Sequence, residues 1–283
     1  MTADLAGRVC LVTGASNGLG EATALALAAQ GARVILVCRD AARGARALED
    51  VKRRTGNGGV ELVLADLGSL ASIERAADLV AARHRRLDVL VNNAGLVTLR
   101  RTLTADGFEA TFGVNHLGAF ALTNRLLPLL RAGAPSRVVN VSSNAHRGVV
   151  LDFDDLQGER HYSFWTAYRR SKLANILFTA EFARRLSGSG VTANALDPGA
   201  VRTGLGGGHG RALDLLGRTI KLVFQSPARG ARTQIYLATA PEVASATGGY
   251  FVRCRPVLPS AAARDENAQR QLWDVSRAMT GVG

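Results

Sequence analysis

Tyr168-Arg169-Arg170-Ser171-Lys172 places a phenol and an ammonium four residues apart. On a helix that spacing projects both side chains from one face. A phenol with an ordinary pKa of about 10 is a poor proton donor or acceptor at neutral pH. A nearby ammonium favours the tyrosinate and lowers that value. The pair is therefore an acid/base device for the oxygen of an alcohol or a carbonyl. It needs a hydride carrier, a partner for the oxyanion and a means of positioning the lysine. Tyr-x-x-x-Lys also arises on helices with no chemistry to do, so the surrounding elements decide its meaning.

A carrier site is written near the start of the chain. Thr13-Gly14-Ala15-Ser16-Asn17-Gly18-Leu19-Gly20 follows a strand pattern, Arg8 to Thr13, and opens a helix predicted over Glu21 to Gln30. Glycines here let the backbone turn sharply and approach a pyrophosphate resting on the free N–H groups of the helix start. The spacing is Gly-x-x-x-Gly-x-Gly, not the commoner Gly-x-Gly-x-x-Gly. Strand two ends near Cys38, where NAD enzymes often carry a carboxylate for the adenosine 2′-hydroxyl. Here Arg39 and Asp40 follow instead. Arg39 can stack on adenine and pair with a 2′-phosphate, which favours NADP(H) over NAD(H). The plainer alternative is that Arg39 begins a charged helix that Asp40 caps.

Asp66 and Leu67 end the third strand, within reach of an adenine ring, and Asn92-Asn93-Ala94-Gly95 end the fourth, where backbone passes a ribose. Asp, Asn and Gly are turn residues in any fold. Four such turns at four successive strand ends are harder to dismiss, because that rim is where open α/β sheets bind ligands.

The elements that must position these residues alternate along the chain. Strands are predicted at 8–13, 32–38, 60–65, 87–91, 137–141, 192–196 and 249–252. Helices are predicted at 21–30, 40–54, 69–83, 109–130 (with Pro128 distorting its end) and 162–187. This alternation implies one α/β domain: a parallel sheet of about seven strands, doubly wound, with helices on both faces. No linker or repeat divides residues 1–283; the cofactor half covers about 1–140 and the catalytic and substrate half about 141–283. Two stretches stand apart, 143–162 and 204–227. The second contains an amphipathic run, 211–224, that reads first as a substrate lid. A surface helix or an interfacial membrane helix are the alternatives.

Composition narrows the classes. Hydrophobic residues make up 47% of the 283, with 31 glycines and only 7 prolines, which suits a compact α/β protein rather than a disordered one. The formal charge of +12 could signal nucleic acid, but the basic residues are dispersed and not interleaved with aromatics, so no nucleic-acid partner is expected. Cys10, Cys38 and Cys254 have no metal-type spacing, and the five histidines form no ligand pattern. Buried thiols and the absence of a leader or an apolar span point to a cytoplasmic protein with no stable membrane span. High Ala and Arg content suggests a GC-rich bacterial source.

Taken together, Thr13–Gly20, Asp66-Leu67, Asn92–Gly95, Asn115, Val141-Ser142-Ser143, Tyr168–Lys172 and Pro198-Gly199-Ala200-Val201-Arg202-Thr203 resemble the short-chain dehydrogenase/reductase family. Gly113–Gly118, Ser142–His146, Ser171–Asn175 and Gly248–Phe251 are most similar to its retinol dehydrogenase-like branch. The resemblance implies a Rossmann fold and a catalytic set of Asn115, Ser143, Tyr168 and Lys172. Tyr168 would be the acid/base, Lys172 its pKa modulator and ribose ligand, Ser143 the oxyanion partner and Asn115 the holder of a relay water. Ser142 competes with Ser143, but strand alternation points neighbours to opposite faces. The implied cofactor contacts are Gly14, Ser16, Asn17, Gly18, Leu19, Gly20, Arg39, Asp66, Leu67, Asn93, Ala94, Gly95, Tyr168, Lys172, Pro198, Gly199, Val201 and Thr203. The expected substrate is a small hydrophobic carbonyl or alcohol compound, and the family allows a homo-oligomer. Two other readings are a non-catalytic dinucleotide-binding scaffold and an epimerase or dehydratase. The intact catalytic set argues against the first, the glycine spacing and the short C-terminal region against the second.

Overall fold

The computed structural model describes residues 4–199 and 226–283. The predicted contacts Val201 and Thr203, and all but the last two residues of the 204–227 lid, lie outside the described residues. Strands β1 (Val9–Thr13), β2 (Arg33–Cys38), β3 (Val60–Leu64), β4 (Val89–Asn92), β5 (Ser136–Val141), β6 (Val191–Asp197), β7 (Tyr250–Val252) and β8 (Arg255–Pro256) form one sheet. Its order is β3-β2-β1-β4-β5-β6-β7-β8. All pairings are parallel except β7–β8.

Alternation along the strands gives each face of the sheet its own core. Val9, Leu11, Ile35 and Val37 point to the side covered by α3 (Leu70–Arg83), α5 (Gly118–Arg125) and α7 (Phe164–Arg185). Cys10, Val12, Val34 and Leu36 point to the side covered by α1 (Gly18–Ala29), α2 (Ala41–Thr55) and α9 (Arg232–Thr239). Both faces being dry explains why the strands read as continuous apolar runs. The helix ends are set locally: the Asp40 side chain accepts from Arg43 N–H to cap α2, and Ser69 accepts from Ser72 N–H to cap α3.

The helix predicted over 109–130 is interrupted twice. Glu109 caps α4 (Ala110–Phe112), a π-turn follows at Gly113–Leu117, and α5 then stops at Leu126, where Pro128 starts α6 (Leu127–Ala132). A proline belongs in a first helical turn, where its missing N–H costs nothing. Three helices were not predicted: the short α8 (Pro227–Gly230), α9, and α10 (Glu266–Thr280), whose Trp273 packs on Phe120 and Phe178.

The expected seven strands become eight because a two-residue turn, Arg253-Cys254, returns the chain as β8. Both residues have positive φ, 52° and 62°, without the Asn-Gly that such hairpins favour. Cys254 N–H donates to Thr233 Oγ1 at 3.3 Å, which helps hold the turn. A left-handed non-glycine residue costs about 1–2 kcal/mol. Cys254→Gly is therefore expected to hold or raise the thermal midpoint, and Cys254→Val, β-branched, to lower it by roughly 2–4 °C. Thermal denaturation followed by circular dichroism checks the order; a more stable valine variant contradicts it.

Candidate active site

The C-terminal ends of β1 to β6 line one rim, and the order reverses between β1 and β4, so the β1–α1 turn opens into a crevice there. Within the turn, a Cβ on Gly14 would stand 2.9 Å from Ala94 Cα, and one on Gly20 would collide with the Gly14 carbonyl. Asn17 precedes α1 without a side-chain capping bond, which leaves the first-turn N–H groups of that helix for a ligand. The tight glycine packing and the uncapped helix fit a dinucleotide pyrophosphate.

The turn is held from behind by a polar chain. Asn93 Nδ2 donates to Thr13 O at 2.8 Å, and Thr13 Oγ1 accepts from Asn93 N and Ala94 N, both at 3.0 Å. Gln234, fully buried on α9, donates to Asn93 Oδ1 and bonds Thr23 of α1. Asn93 thus spends its side-chain amide on the glycine turn and, with Ala94 and Gly95, stands at the rim, where it could meet a ligand through backbone. Leu67 is likewise buried in the core, and Leu19 packs against Ala231, so both can meet a ligand only through backbone. Asp66 Oδ1 accepts from Gly68 N–H at 2.8 Å in a turn that holds its carboxylate at the end of β3. Ser16 lies beside Cys38, whose thiol burial pushes up to about 11, and the following residue, Arg39, is exposed. Asp40 does cap α2, so that part of the plainer alternative holds.

The proton chemistry sits where α7 meets the end of β5. Ser163 caps α7, and the helix carries Tyr168 and Lys172 on one face, with Lys172 Nζ 5.7 Å from the Tyr168 ring centroid. Lys172 is nearly fully buried and donates to the Val141 carbonyl at 3.1 Å. Ser142 Oγ donates to the Lys172 carbonyl at 2.7 Å, so the first serine binds helix to strand. Ser143 lies close enough to Tyr168 to act on the phenol, lowering its pKa. Of the two serines, Ser143 is the one beside the phenol.

Burial raises the Tyr168 pKa above its ordinary value, Asp197 adds to the rise, and the Ser143 hydrogen bond opposes it. Burial lowers Lys172 to about 8. In the protein alone burial raises the phenol pKa, opposite to the lowering expected from the lysine. Each group is pushed toward its neutral form.

Asn115 lies within the π-turn and is buried. Its Oδ1 accepts from Leu96 N–H at 2.7 Å, while Nδ2 donates to Leu96 O at 2.9 Å and Ser171 Oγ at 3.0 Å. Both ends of the amide are taken, so the side chain clamps the β4 exit loop to α7. Gly95 leaves room between them: a Cβ there would lie 3.3 Å from Asn115 Oδ1 and 3.6 Å from Lys172 Nζ. Pro198 and Gly199 follow β6, with Gly199 N–H donating to Asp197 Oδ1 at 3.1 Å. Sequence reasoning missed Asp197 and Gln234; an acid before Pro-Gly and a glutamine inside an unpredicted helix gave no spacing to read.

The 143–162 connection forms a packed wall beside this site. Arg101 donates to Gln157 O at 2.9 Å and Tyr162 OH to Thr98 O at 2.9 Å, while Trp165 stacks on Tyr168 with centroids 5.8 Å apart. His161 is exposed. Among the described residues no cluster of His, Cys, Asp and Glu could hold a metal, and no helix is long and apolar enough to cross a membrane.

The family model for short chain dehydrogenase matches residues 8–212, and the chain belongs to that family. Within it the chain sits in the retinol dehydrogenase-like branch. It is 46% identical to human retinol dehydrogenase 14, covering 98% of this chain and 87% of that one. Identity to human retinol dehydrogenase 13 is 45%, covering 99% and 86%. A crystal structure of a protein from Mycobacterium paratuberculosis superposes with TM-score 0.81 at 38% identity, over 99% of this chain and 96% of that one. The Pseudomonas aeruginosa RhlG/NADP active-site complex superposes with TM-score 0.70 at 28% identity, over 92% and 98%.

The buried ammonium yields a prediction about stability. A lysine whose folded pKa is depressed binds fewer protons folded than unfolded between about 8 and its ordinary value of 10.5, so stability rises with pH through that window. Below about pH 8 the full burial penalty is present. Lys172→Met, which leaves Val141 O bonded to Asn175 Nδ2 at 3.2 Å, is expected to raise the thermal midpoint at pH 7. The gain should shrink as pH rises toward about 10. A less stable methionine variant at pH 7 contradicts this.

Proposed function

We propose that the protein is an NADP(H)-dependent oxidoreductase acting between the nicotinamide and a carbonyl or alcohol carbon of a small hydrophobic substrate, with Tyr168 as the acid/base. The observation that carries this reading is the meeting of Tyr168, Ser143 and Lys172 at the end of β5, one strand from the crevice at the glycine turn. Gly14, Ser16, Asn17, Gly18 and Gly20 would hold the pyrophosphate, Asp66 and Arg39 the adenosine end, and Ala94, Gly95, Pro198 and Gly199 the nicotinamide half. When bound, the cofactor supplies or accepts the hydride.

The chain's own residues manage the proton. In reduction Tyr168 O–H gives its proton to the substrate oxygen, and its raised pKa keeps it protonated until then. Ser143 donates a hydrogen bond to the same oxygen as charge develops on it. The Lys172 ammonium stabilises the tyrosinate left behind. Oxidation runs these steps backwards. The exposed Arg39, with no carboxylate at Cys38, supports NADP(H) over NAD(H). An apolar substrate is supported by Trp165 over the Tyr168 ring and by the printed names of the retinol dehydrogenase relatives.

The test is consumption of NADPH and of NADH with a panel of apolar aldehydes and ketones. Tyr168→Phe is expected to lower kcat by on the order of 10²–10⁴ with NADPH binding retained. Arg39→Ala should weaken NADPH roughly tenfold while leaving NADH unchanged. Full turnover by the phenylalanine variant sinks the acid/base assignment; equal loss for both cofactors sinks the Arg39 assignment.

A further inference from the structure

His146 lies three residues beyond Ser143, fully buried, at the end of the short 3-10 turn Asn144–His146. Its Nδ1 is 2.8 Å from the Ser143 carbonyl oxygen, which can only accept, so Nδ1 carries the hydrogen. Its Nε2 receives the Ser260 backbone N–H at 3.2 Å, which can only donate, so Nε2 is bare. Two backbone groups of fixed polarity thereby select one neutral tautomer. Burial lowers the imidazole pKa in agreement with that state. Tyr250 packs edge-on against the ring at 5.0 Å, which restricts its rotation.

The partner on the far side comes from a distant part of the chain. Ser260 follows the β7–β8 hairpin, whose two left-handed residues turn the chain back along β7. Arg147 Nη2 also reaches this segment, donating to Leu258 O at 3.0 Å. The imidazole is therefore a strut between the C-terminal segment and the peptide that carries Ser143. That peptide decides where the Ser143 hydroxyl points, because its Oγ is already engaged by Ala145 N–H at 3.1 Å within the same turn.

We infer that His146 is a positioning residue for Ser143, its Nδ1–H fixing the Ser143 carbonyl so that the hydroxyl meets both Tyr168 and the substrate oxygen. The inference rests on the proposed reading in which Ser143 binds that oxygen. The two ring nitrogens then have separate roles, Nδ1 serving the chemistry and Nε2 serving anchorage to the C-terminal segment.

Two amide substitutions divide these roles. In His146→Asn the amide N–H stands near the position of Nδ1 and falls short of Ser260. In His146→Gln the amide reaches the position of Nε2 and leaves the Ser143 carbonyl without a side-chain donor. The expected result is that the asparagine variant keeps kcat within about threefold, while the glutamine variant loses on the order of 10²-fold, as a misplaced catalytic group does. NADPH affinity and KM should stay near wild type in both, with similar losses in thermal midpoint. Equal kcat losses in the two variants, or an active glutamine variant, overturn the inference. Ser143→Ala run beside them separates the failures: if it keeps full turnover the functional reading falls, and if it is inactive while the two amides behave alike only the His146 role falls. Should neither amide variant fold, nitrogen-15 spectra of the wild-type ring decide, an Nδ1–H tautomer upholding the strut and an Nε2–H tautomer refuting it.

Discussion

The arrangement of the site turns on one contact, the Lys172 ammonium against the Val141 carbonyl at 3.1 Å, which fixes position at a cost in stability. An ammonium this deeply buried requires compensation from fixed dipoles, and the end of a strand offers a carbonyl with a lone pair to spare. Asn175 Nδ2 shares that carbonyl at 3.2 Å, and Ser142 Oγ returns a bond from the strand to the Lys172 carbonyl. These bonds fix α7 to β5 along the helix from Lys172 to Asn175. Once they are set, Tyr168 and Ser143 have no freedom to separate, and the Asn115 clamp on Leu96 and Ser171 brings the end of β4 to the same point.

Burial moves the phenol and the ammonium in opposite directions, Tyr168 up and Lys172 down. A phenol that stays protonated can act as the donor in carbonyl reduction, and an ammonium near its titration point responds to any charge placed beside it. Asp197, at the end of β6, contributes to the first shift. The pair is therefore set by its surroundings, and the four-residue spacing alone would not have produced this balance.

The fold was legible because both faces of the sheet are dry. Seven strands showed as apolar runs, and Asp40 and Ser69 marked their helix starts correctly. β8 was invisible since Arg253-Cys254 carries no turn signature and strain replaces composition there. The π-turn at Gly113–Leu117 was equally silent, as its periodicity differs from an α-helix by a single residue. In the site, the Tyr168–Lys172 pair was visible as a four-residue spacing, while the choice of Ser143 over Ser142 came from the family resemblance. Which side chains prop the loops could not be read, because the Asn93 amide is spent on the glycine turn with Gln234, 141 residues away, behind it. His146 sat within a recognised motif, yet its role depends on Ser260.

The proposed chemistry turns on how Tyr168 ionises, and that can be measured directly. Ultraviolet difference titration of tyrosinate, with Tyr168→Phe subtracted, reports this phenol in the protein alone and with NADP⁺ bound. The protein alone should titrate above the ordinary value of about 10. On the proposed reading a cationic nicotinamide would lie beside Tyr168 and Lys172 and should lower the phenol pKa toward neutrality. A phenol already below its ordinary value in the free protein, or one that does not move on binding NADP⁺, would contradict the account.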